Sequence, residues 1–197
     1  MADAVDDPET FWVDPHIRGI IPLDAFHVPR RLARTIKQAP FDIRIDTDFR
    51  QTIEACRMPA MDRPSSWIND EILSVYCMLH RMGYAHSVEC WSDDKLVGGL
   101  YGVRIAGAFF GESMFSGCTD ASKIALTYLV ARLRYANFSL LDCQFATDHL
   151  IRFGLKEVPR TAYHRKLQRA LGHNADFQLM PVKSSPEEVL QAVGHKS

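Results

Sequence analysis

Two apolar segments of this 197-residue chain carry a carboxylate near their centre, which restricts what the chain can fold into. Residues 109–115 read Phe-Phe-Gly-Glu-Ser-Met-Phe, and residues 140–144 read Leu-Leu-Asp-Cys-Gln. A buried carboxylate is costly unless it is paired with a donor or lies against a cavity. Both segments therefore predict buried strands that pass beside a polar site.

Side chains alternate along a strand, so Asp142 and Gln144 are predicted to share one face, with Cys143 opposite. The amide of Gln144 can then hold the carboxylate of Asp142, and that carboxylate can take a proton from a nucleophile. The same alternation places Glu112 on one face with Met114. Hydrogen-bonded structural groups explain this spacing as well as catalysis does.

From residue 67 onward the pattern predicts a mixed sheet of the α+β class flanked by helices. Asn69 can cap a helix that runs to about Met82. The order of elements also matches, as an analogy of fold alone, the acetyltransferase-like (GNAT) fold. The other elements predicted here are strands at 86–91, 96–105, 108–115 and 139–145 and helices at 120–135, 148–153 and 160–171.

The N-terminal part predicts a small lobe that begins with a polar tail at 1–10. A basic helix is expected at about 28–38, followed by a strand at 41–46 and a helix capped by Asp46 or Thr47. A loop with two prolines then marks the lobe boundary. The predicted divisions are a small lobe at 1–62, a GNAT-like domain at 63–180 and a C-terminal tail at 181–197.

The formal net charge is −1, so the total charge does not indicate a nucleic-acid-binding protein. Locally basic faces can nevertheless contact phosphates, although such a cluster alone is more often a solvated helix face. The two basic clusters are Arg30, Arg31, Arg34 and Lys37, and Arg160, Arg165, Lys166 and Arg169.

The cysteines predict neither disulfides nor a metal site, because they are odd in number and scattered. They are expected to be buried small apolar side chains. No apolar run is long enough to span a bilayer, and the acidic start lacks a signal pattern, so a cytoplasmic protein is expected. The five cysteines are Cys56, Cys77, Cys90, Cys118 and Cys143.

A nucleotide-thiol cofactor such as coenzyme A needs a glycine-rich turn before the long helix. The turn at 116–121 has one glycine, and Asp120 would repel a pyrophosphate, which argues against coenzyme A. Trp12 and Trp67 lie beside loops, where a tryptophan either covers the core or stacks on a base.

Taken together, the motifs closely resemble those of bacterial leucyl/phenylalanyl-tRNA–protein transferases over about residues 11–165. They are Phe11-Trp12, Asp14-Pro15, residues 19–23 (Gly-Ile-Ile-Pro-Leu), Phe26-His27, Trp67-Ile68, 85–89 (Ala-His-Ser-Val-Glu), 96–102 (Leu-Val-Gly-Gly-Leu-Tyr-Gly), 111–116 (Gly-Glu-Ser-Met-Phe-Ser), 121–123 (Ala-Ser-Lys) and 141–144 (Leu-Asp-Cys-Gln).

The resemblance implies transfer of leucine or phenylalanine, and less well methionine, from aminoacyl-tRNA to the N-terminal amine of proteins that begin with Lys or Arg. The product would enter N-degron proteolysis. No cofactor or metal is expected, because aminoacyl-tRNA is itself the substrate. The resemblance also implies a preceding helix, so the N-terminal lobe is expected to be truncated. A monomer without membrane contact is expected.

The resemblance also assigns residues. It implies Asp142 as the base and Gln144 as its companion, although a substrate-assisted reaction remains open. Glu112 is hypothesised to orient the amine or to meet the basic acceptor residue. The remaining assignments are Trp67 and Trp12 for the terminal adenosine, Leu100, Met114, Leu126, Leu129, Leu133 and Leu141 for the aminoacyl group, and Arg30, Arg31, Arg34 and Lys37 for tRNA phosphates.

Two alternatives remain at this point. One is an N-acyltransferase of the GNAT class that uses acyl-CoA. The other is a non-catalytic tRNA-binding relative with the same fold.

Overall fold

A computed structural model of the chain describes residues 9–59 and 66–194, which form a seven-stranded mixed sheet with helices on both faces. The strands lie in the order β2-β3-β4-β5-β6-β1-β7; β5 and β6 are parallel and the other described neighbours are antiparallel. The predicted mixed sheet flanked by helices is confirmed. The strands are β1 (Ile17–Ile21), β2 (Asp42–Ile45), β3 (Ala85–Ser92), β4 (Lys95–Ile105), β5 (Ala108–Ser116), β6 (Leu140–Gln144) and β7 (Lys156–Pro159).

The helices predicted at 120–135 and 160–171 are confirmed. Asn69 caps the helix Asp70–Arg81, as predicted. A short 3-10 helix at Leu23–Ala25 precedes the first α-helix. The α-helices are α1 (Arg30–Lys37), α2 (Phe49–Arg57), α3 (Asp70–Arg81), α4 (Ala121–Tyr135), α5 (Asp148–Ile151), α6 (Arg160–Leu171) and α7 (Pro186–Ala192).

The sheet alternates its side chains between two sets of helices. On one face, Val88, Leu100 and Leu141 share a core with α1, α4 and α7. On the other, Tyr101 packs with α2 and α3, and Leu140 packs against α6. Strands from both sides of the predicted boundary near residue 62 belong to this one sheet.

The parallel strands β5 and β6 pair over a short length and then separate. Their register covers Ala108, Phe109 and Phe110 of β5, the last opposite Asp142. Beyond Phe110, β5 continues to Ser116 paired with β4 alone. The sheet therefore opens between the carboxyl ends of β5 and β6.

Two glycines in β4 permit the close packing next to this opening. A Cβ at Gly98 would lie 2.3 Å from the Cβ of Ala121, so Gly98 lets the start of α4 approach the sheet. A Cβ at Gly102 would lie 2.3 Å from the carbonyl oxygen of Phe110. The register between β4 and β5 shifts between Tyr101 and this glycine.

The predicted cap of α2 is wrong. Asp48, not Asp46 or Thr47, caps α2 by accepting from the Gln51 backbone N–H. Asp46 is instead occupied by the backbone N–H of Ser87. Asp120 precedes α4 with a left-handed φ of 64° and makes no side-chain capping bond.

The segment from residue 181 was expected to be a tail, but it contains α7. A capping box of Ser185 and Glu188 starts this helix, and Val189 and Leu190 are buried in the main core. Because these side chains cover α4, the expectation of a tail is wrong for this helix. The expectation that all five cysteines are buried is also wrong, since Cys118 is exposed.

Replacing Gly102 by Ala is expected to destabilise the protein by about 1–3 kcal/mol, because the new methyl group has no space beside the Phe110 carbonyl. Gly172→Ala is the matched control, since the nearest atom to its Cβ would lie 3.4 Å away. Urea unfolding of both variants measures the difference. Equal stability of the two variants would contradict the packing described for β4.

Candidate active site

A cavity of about 970 Å³ occupies the opening between β5 and β6. Its polar lining comprises Glu112 and Gln144 from the two separated strands, His149 from α5, and a few serine and threonine residues. Such a combination of an apolar wall and a few convergent polar groups is typical of a ligand site. The apolar wall is formed by Leu100, Met114, Leu126, Leu129 and Leu141.

Glu112 is the one carboxylate among the described residues that line this cavity. It accepts a hydrogen bond from Gln144 Nε2 at 2.9 Å and another from the hydroxyl of Tyr76. Burial raises the pKa of Glu112 to about 7, against the lowering effect of these two donors and of Arg18. The negative charge of Asp142 adds to the rise. The carboxyl group therefore changes protonation near neutral pH.

Asp142 is completely buried and does not belong to the cavity lining. The Nε of Arg18 lies 3.0 Å from both carboxylate oxygens, and its Nη2 lies 2.8 Å from Oδ2. The hydroxyl of Tyr163 donates to Oδ2 at 2.6 Å. The backbone N–H of Gln144 donates to Oδ1 at 2.8 Å. Asp142 is therefore enclosed by donors on the α6 side of the sheet.

The predicted contact between the Gln144 amide and the Asp142 carboxylate is wrong. Gln144 has a φ of 60°, so the strand's alternation ends there and its side chain turns into the cavity. Its amide contacts Glu112, and its backbone N–H contacts Asp142. Gln144 thus links the two carboxylates, because its side chain donates to Glu112 and its backbone N–H donates to Asp142.

Sequence reasoning missed three residues that hold this network. Arg18 lies in β1, where a charge interrupts the apolar run Ile-Arg-Gly-Ile-Ile, and that interruption was an available indication. Tyr163 on α6 and Tyr76 on α3 carry no comparable sequence pattern. Burial, together with Glu112, raises the pKa of Tyr76, which keeps its hydroxyl a donor.

The residues predicted for the aminoacyl-adenosine end only partly meet. Trp67 lines the cavity and packs edge-on against Tyr76, with ring centroids 6.5 Å apart. Trp12 is fully exposed and is not among the lining residues. Leu133 is fully buried in the core and does not line the cavity either. The other predicted leucines and Met114 do line it.

The basic helix α1 (Arg30–Lys37) buries its apolar side. Leu32, Ala33 and Ile36 are buried on its inner side. In the second cluster, Arg160 forms an ion pair with Asp14 at 2.8 Å. The four cations of α1, which are all exposed, are Arg30, Arg31, Arg34 and Lys37.

Within residues 9–59 and 66–194, no three His, Cys, Asp or Glu side chains are grouped so that they could hold a metal ion. In the same part of the chain, no helix has the length and hydropathy needed to cross a membrane.

The fold and the cavity define an α+β protein that can hold an apolar group beside a carboxylate. Residues 20–168 match the family model of leucyl/phenylalanyl-tRNA protein transferase. The leucyl/phenylalanyl-tRNA–protein transferase of Phenylobacterium zucineum is 58% identical over 177 residues, 90% of this chain and 80% of that protein. That of Nitrobacter winogradskyi is 49% identical over 199 residues, 100% of this chain and 88% of that protein. This chain belongs to the leucyl/phenylalanyl-tRNA protein transferase family.

The raised pKa of Glu112 predicts a pH-dependent loss of stability. Below pH 4.5, its ordinary pKa, both the folded and unfolded forms are protonated. As the pH rises towards 7, the unfolded state ionises first, so the folded state loses stability by about 3 kcal/mol at most. Glu112→Gln is therefore expected to be more stabilised relative to the wild type at pH 8 than at pH 4.5.

Urea unfolding at the two pH values measures this effect. Glu157→Gln, which removes an exposed glutamate of β7, is the control for loss of one carboxylate. A Glu112→Gln gain that is the same at both pH values would show that Glu112 does not titrate as described.

Proposed function

We propose that this chain transfers leucine or phenylalanine, and less well methionine, from aminoacyl-tRNA to the N-terminal amine of acceptor proteins. The cavity between β5 and β6, with its leucine-rich wall and one carboxylate, is the main support for this function. The names of the relatives support the donor and acceptor classes. Acceptors that begin with Lys or Arg, and entry of the product into N-degron proteolysis, are the finer parts of the proposal. The observed order of helices and strands supports a GNAT-like core.

In this proposal the acyl side chain lies against the apolar wall and the terminal adenosine lies against Trp67. The wall is formed by γ-branched leucines and Met114. These residues suit a side chain without a branch at Cβ, such as that of Leu or Phe. Trp67 is half-buried and lines the cavity, and its indole is proposed to stack on the base.

The reaction needs little beyond positioning and one proton transfer. The aminoacyl ester is already activated, so no cofactor is required. An α-amine has a pKa of about 8, so a useful fraction is neutral at pH 7. Holding that amine against the ester carbonyl can supply about 7–11 kcal/mol of the barrier lowering. The nitrogen then bonds to the carbonyl carbon, the bond to the ribose oxygen breaks, and one proton passes from nitrogen to that oxygen.

Glu112 is proposed to accept the proton of the amine. Asp142, which does not line the cavity, is proposed to position Gln144. Direct transfer to Asp142 would require Arg18 and Tyr163 to release it. Asp142 instead holds the backbone of Gln144, whose amide orients Glu112. A base with a pKa close to the working pH is the most effective kind.

The function is tested by transfer of labelled leucine from charged tRNA to a peptide that begins with Lys. Transfer by the intact protein supports the proposal. No transfer, combined with protection against heat by coenzyme A, would favour an acyl-CoA enzyme instead.

The role of Glu112 predicts how two acceptors respond when it is lost. Glu112→Gln is expected to lower kcat/KM by about 10² to 10⁴-fold for a Lys-started peptide and by a similar factor for a norleucine-started peptide. Norleucine has a similar shape without the charge, so equal losses indicate proton transfer. If Glu112→Gln removed only the preference for the Lys-started over the norleucine-started peptide, Glu112 would instead recognise the basic side chain.

The exposed cations of α1 are proposed to contact tRNA phosphates. Replacing Arg30 and Arg34 by Gln is expected to weaken binding of all tRNAs alike and to reduce the slope of log K against log salt by about 2. Arg165→Gln with Arg169→Gln on α6 is the matched control. An unchanged slope in the α1 variant would show that these arginines only face solvent.

A further inference from the structure

A second, smaller cavity of about 180 Å³ lies between α1, the start of α4 and α5. We propose that it binds one phosphodiester group of the single-stranded 3′ end of tRNA, an inference that rests on the proposed function. The residues that line it are Pro29, Arg31, Leu32, Asp120, Lys123, His149, Arg152 and Phe153.

The charges in the lining suit one phosphodiester. Lys123 Nζ lies 2.5 Å from Oδ1 of Asp120, so these two charges largely offset each other. Arg31 and Arg152 are exposed, and no ion pair found among the described residues involves either. The cavity therefore presents a net charge of about +2 to a group that carries −1. A pyrophosphate would bring a further negative charge against Asp120.

Guanidinium groups also have the right geometry. The planar fork of an arginine can donate two parallel hydrogen bonds to a phosphate, and its charge strengthens both. Arg31 and Arg152 reach the cavity from different elements, α1 and the C-terminal end of α5. A phosphate between them would receive donors from two directions.

The position of this cavity connects two parts of the proposed tRNA site. Arg31 belongs to the exposed basic face of α1, and His149 lines both this cavity and the main one. A strand that leaves the acceptor stem at α1 and carries its terminal adenosine into the main cavity would pass here. Single-stranded RNA ends are commonly held through backbone contacts and stacked bases.

The test uses three leucine donors that differ in their phosphates: leucyl-tRNA, a leucylated cytidylyl-cytidylyl-adenosine trinucleotide, and leucyl-adenosine, which has none. Arg152→Ala is expected to raise KM for the trinucleotide and for tRNA about tenfold relative to leucyl-adenosine. Arg152→Lys should recover part of the loss, and Arg165→Ala on α6 is the control arginine.

An equal loss with all three donors, or no change with any, would overturn the proposal. Binding of the uncharged trinucleotide and of inorganic phosphate is measured in parallel. Weaker trinucleotide binding by Arg152→Ala supports the site even if the wild type transfers nothing, in which case the proposed function alone fails. Equal trinucleotide binding by the wild type and the variant overturns the site, and tight binding of phosphate alone would indicate a small-anion site instead.

Discussion

The buried ion pair between Arg18 and Asp142 is the interaction on which the candidate site depends. It ties β1 to β6 and, through Tyr163, ties both strands to α6. Removing one partner of such a pair typically costs about 3–5 kcal/mol, because the other charge stays buried without compensation. The carboxylate also accepts from the Gln144 backbone, so this pair fixes the point at which β6 turns its side chain into the cavity.

The candidate site also depends on the separation of β5 from β6. Because the strands stop pairing after Phe110, both can present polar groups to a shared space without breaking the rest of the sheet. Gln144 and Tyr76 then satisfy Glu112 without removing it from the cavity. Burial alone would favour the protonated acid and the two donors favour the anion, so the group titrates near pH 7.

Much of the fold follows from local sequence patterns, and the failures have identifiable causes. The meander β3–β5 and the helices α1, α3, α4 and α6 have clear periodicity and turn residues. β1 was missed because Arg18 and Gly19 interrupt a run of five residues, and β7 because it has four residues and ends in Pro159. α7 carries a recognisable signature, the serine and glutamate of a capping box, so this helix is predictable from local sequence.

The candidate site could be located from sequence, but its connections could not. Polar residues within apolar strands indicated a polar site beside those strands, and Glu112 and Gln144 line the cavity. Strand alternation also predicted that Asp142 shares a face with Gln144. This prediction failed because Gln144 has a left-handed φ of 60°, which non-glycine residues rarely adopt and which the sequence does not indicate. The partners Arg18 and Tyr163 come from distant parts of the chain, and only the tertiary fold brings them to the carboxylate.

In the proposed reaction Glu112, not Asp142, exchanges the proton. The most direct measurement is the pH dependence of kcat/KM for leucyl transfer by the wild type, Glu112→Gln and Asp142→Asn. We expect the wild-type acidic limb to contain two ionisations, that of the acceptor amine at about 8 and that of Glu112 at about 7. The ionisation at about 7 is expected to disappear in Glu112→Gln and to survive in Asp142→Asn at a lower rate. Its persistence in Glu112→Gln, with its disappearance in Asp142→Asn, would contradict this role of Glu112.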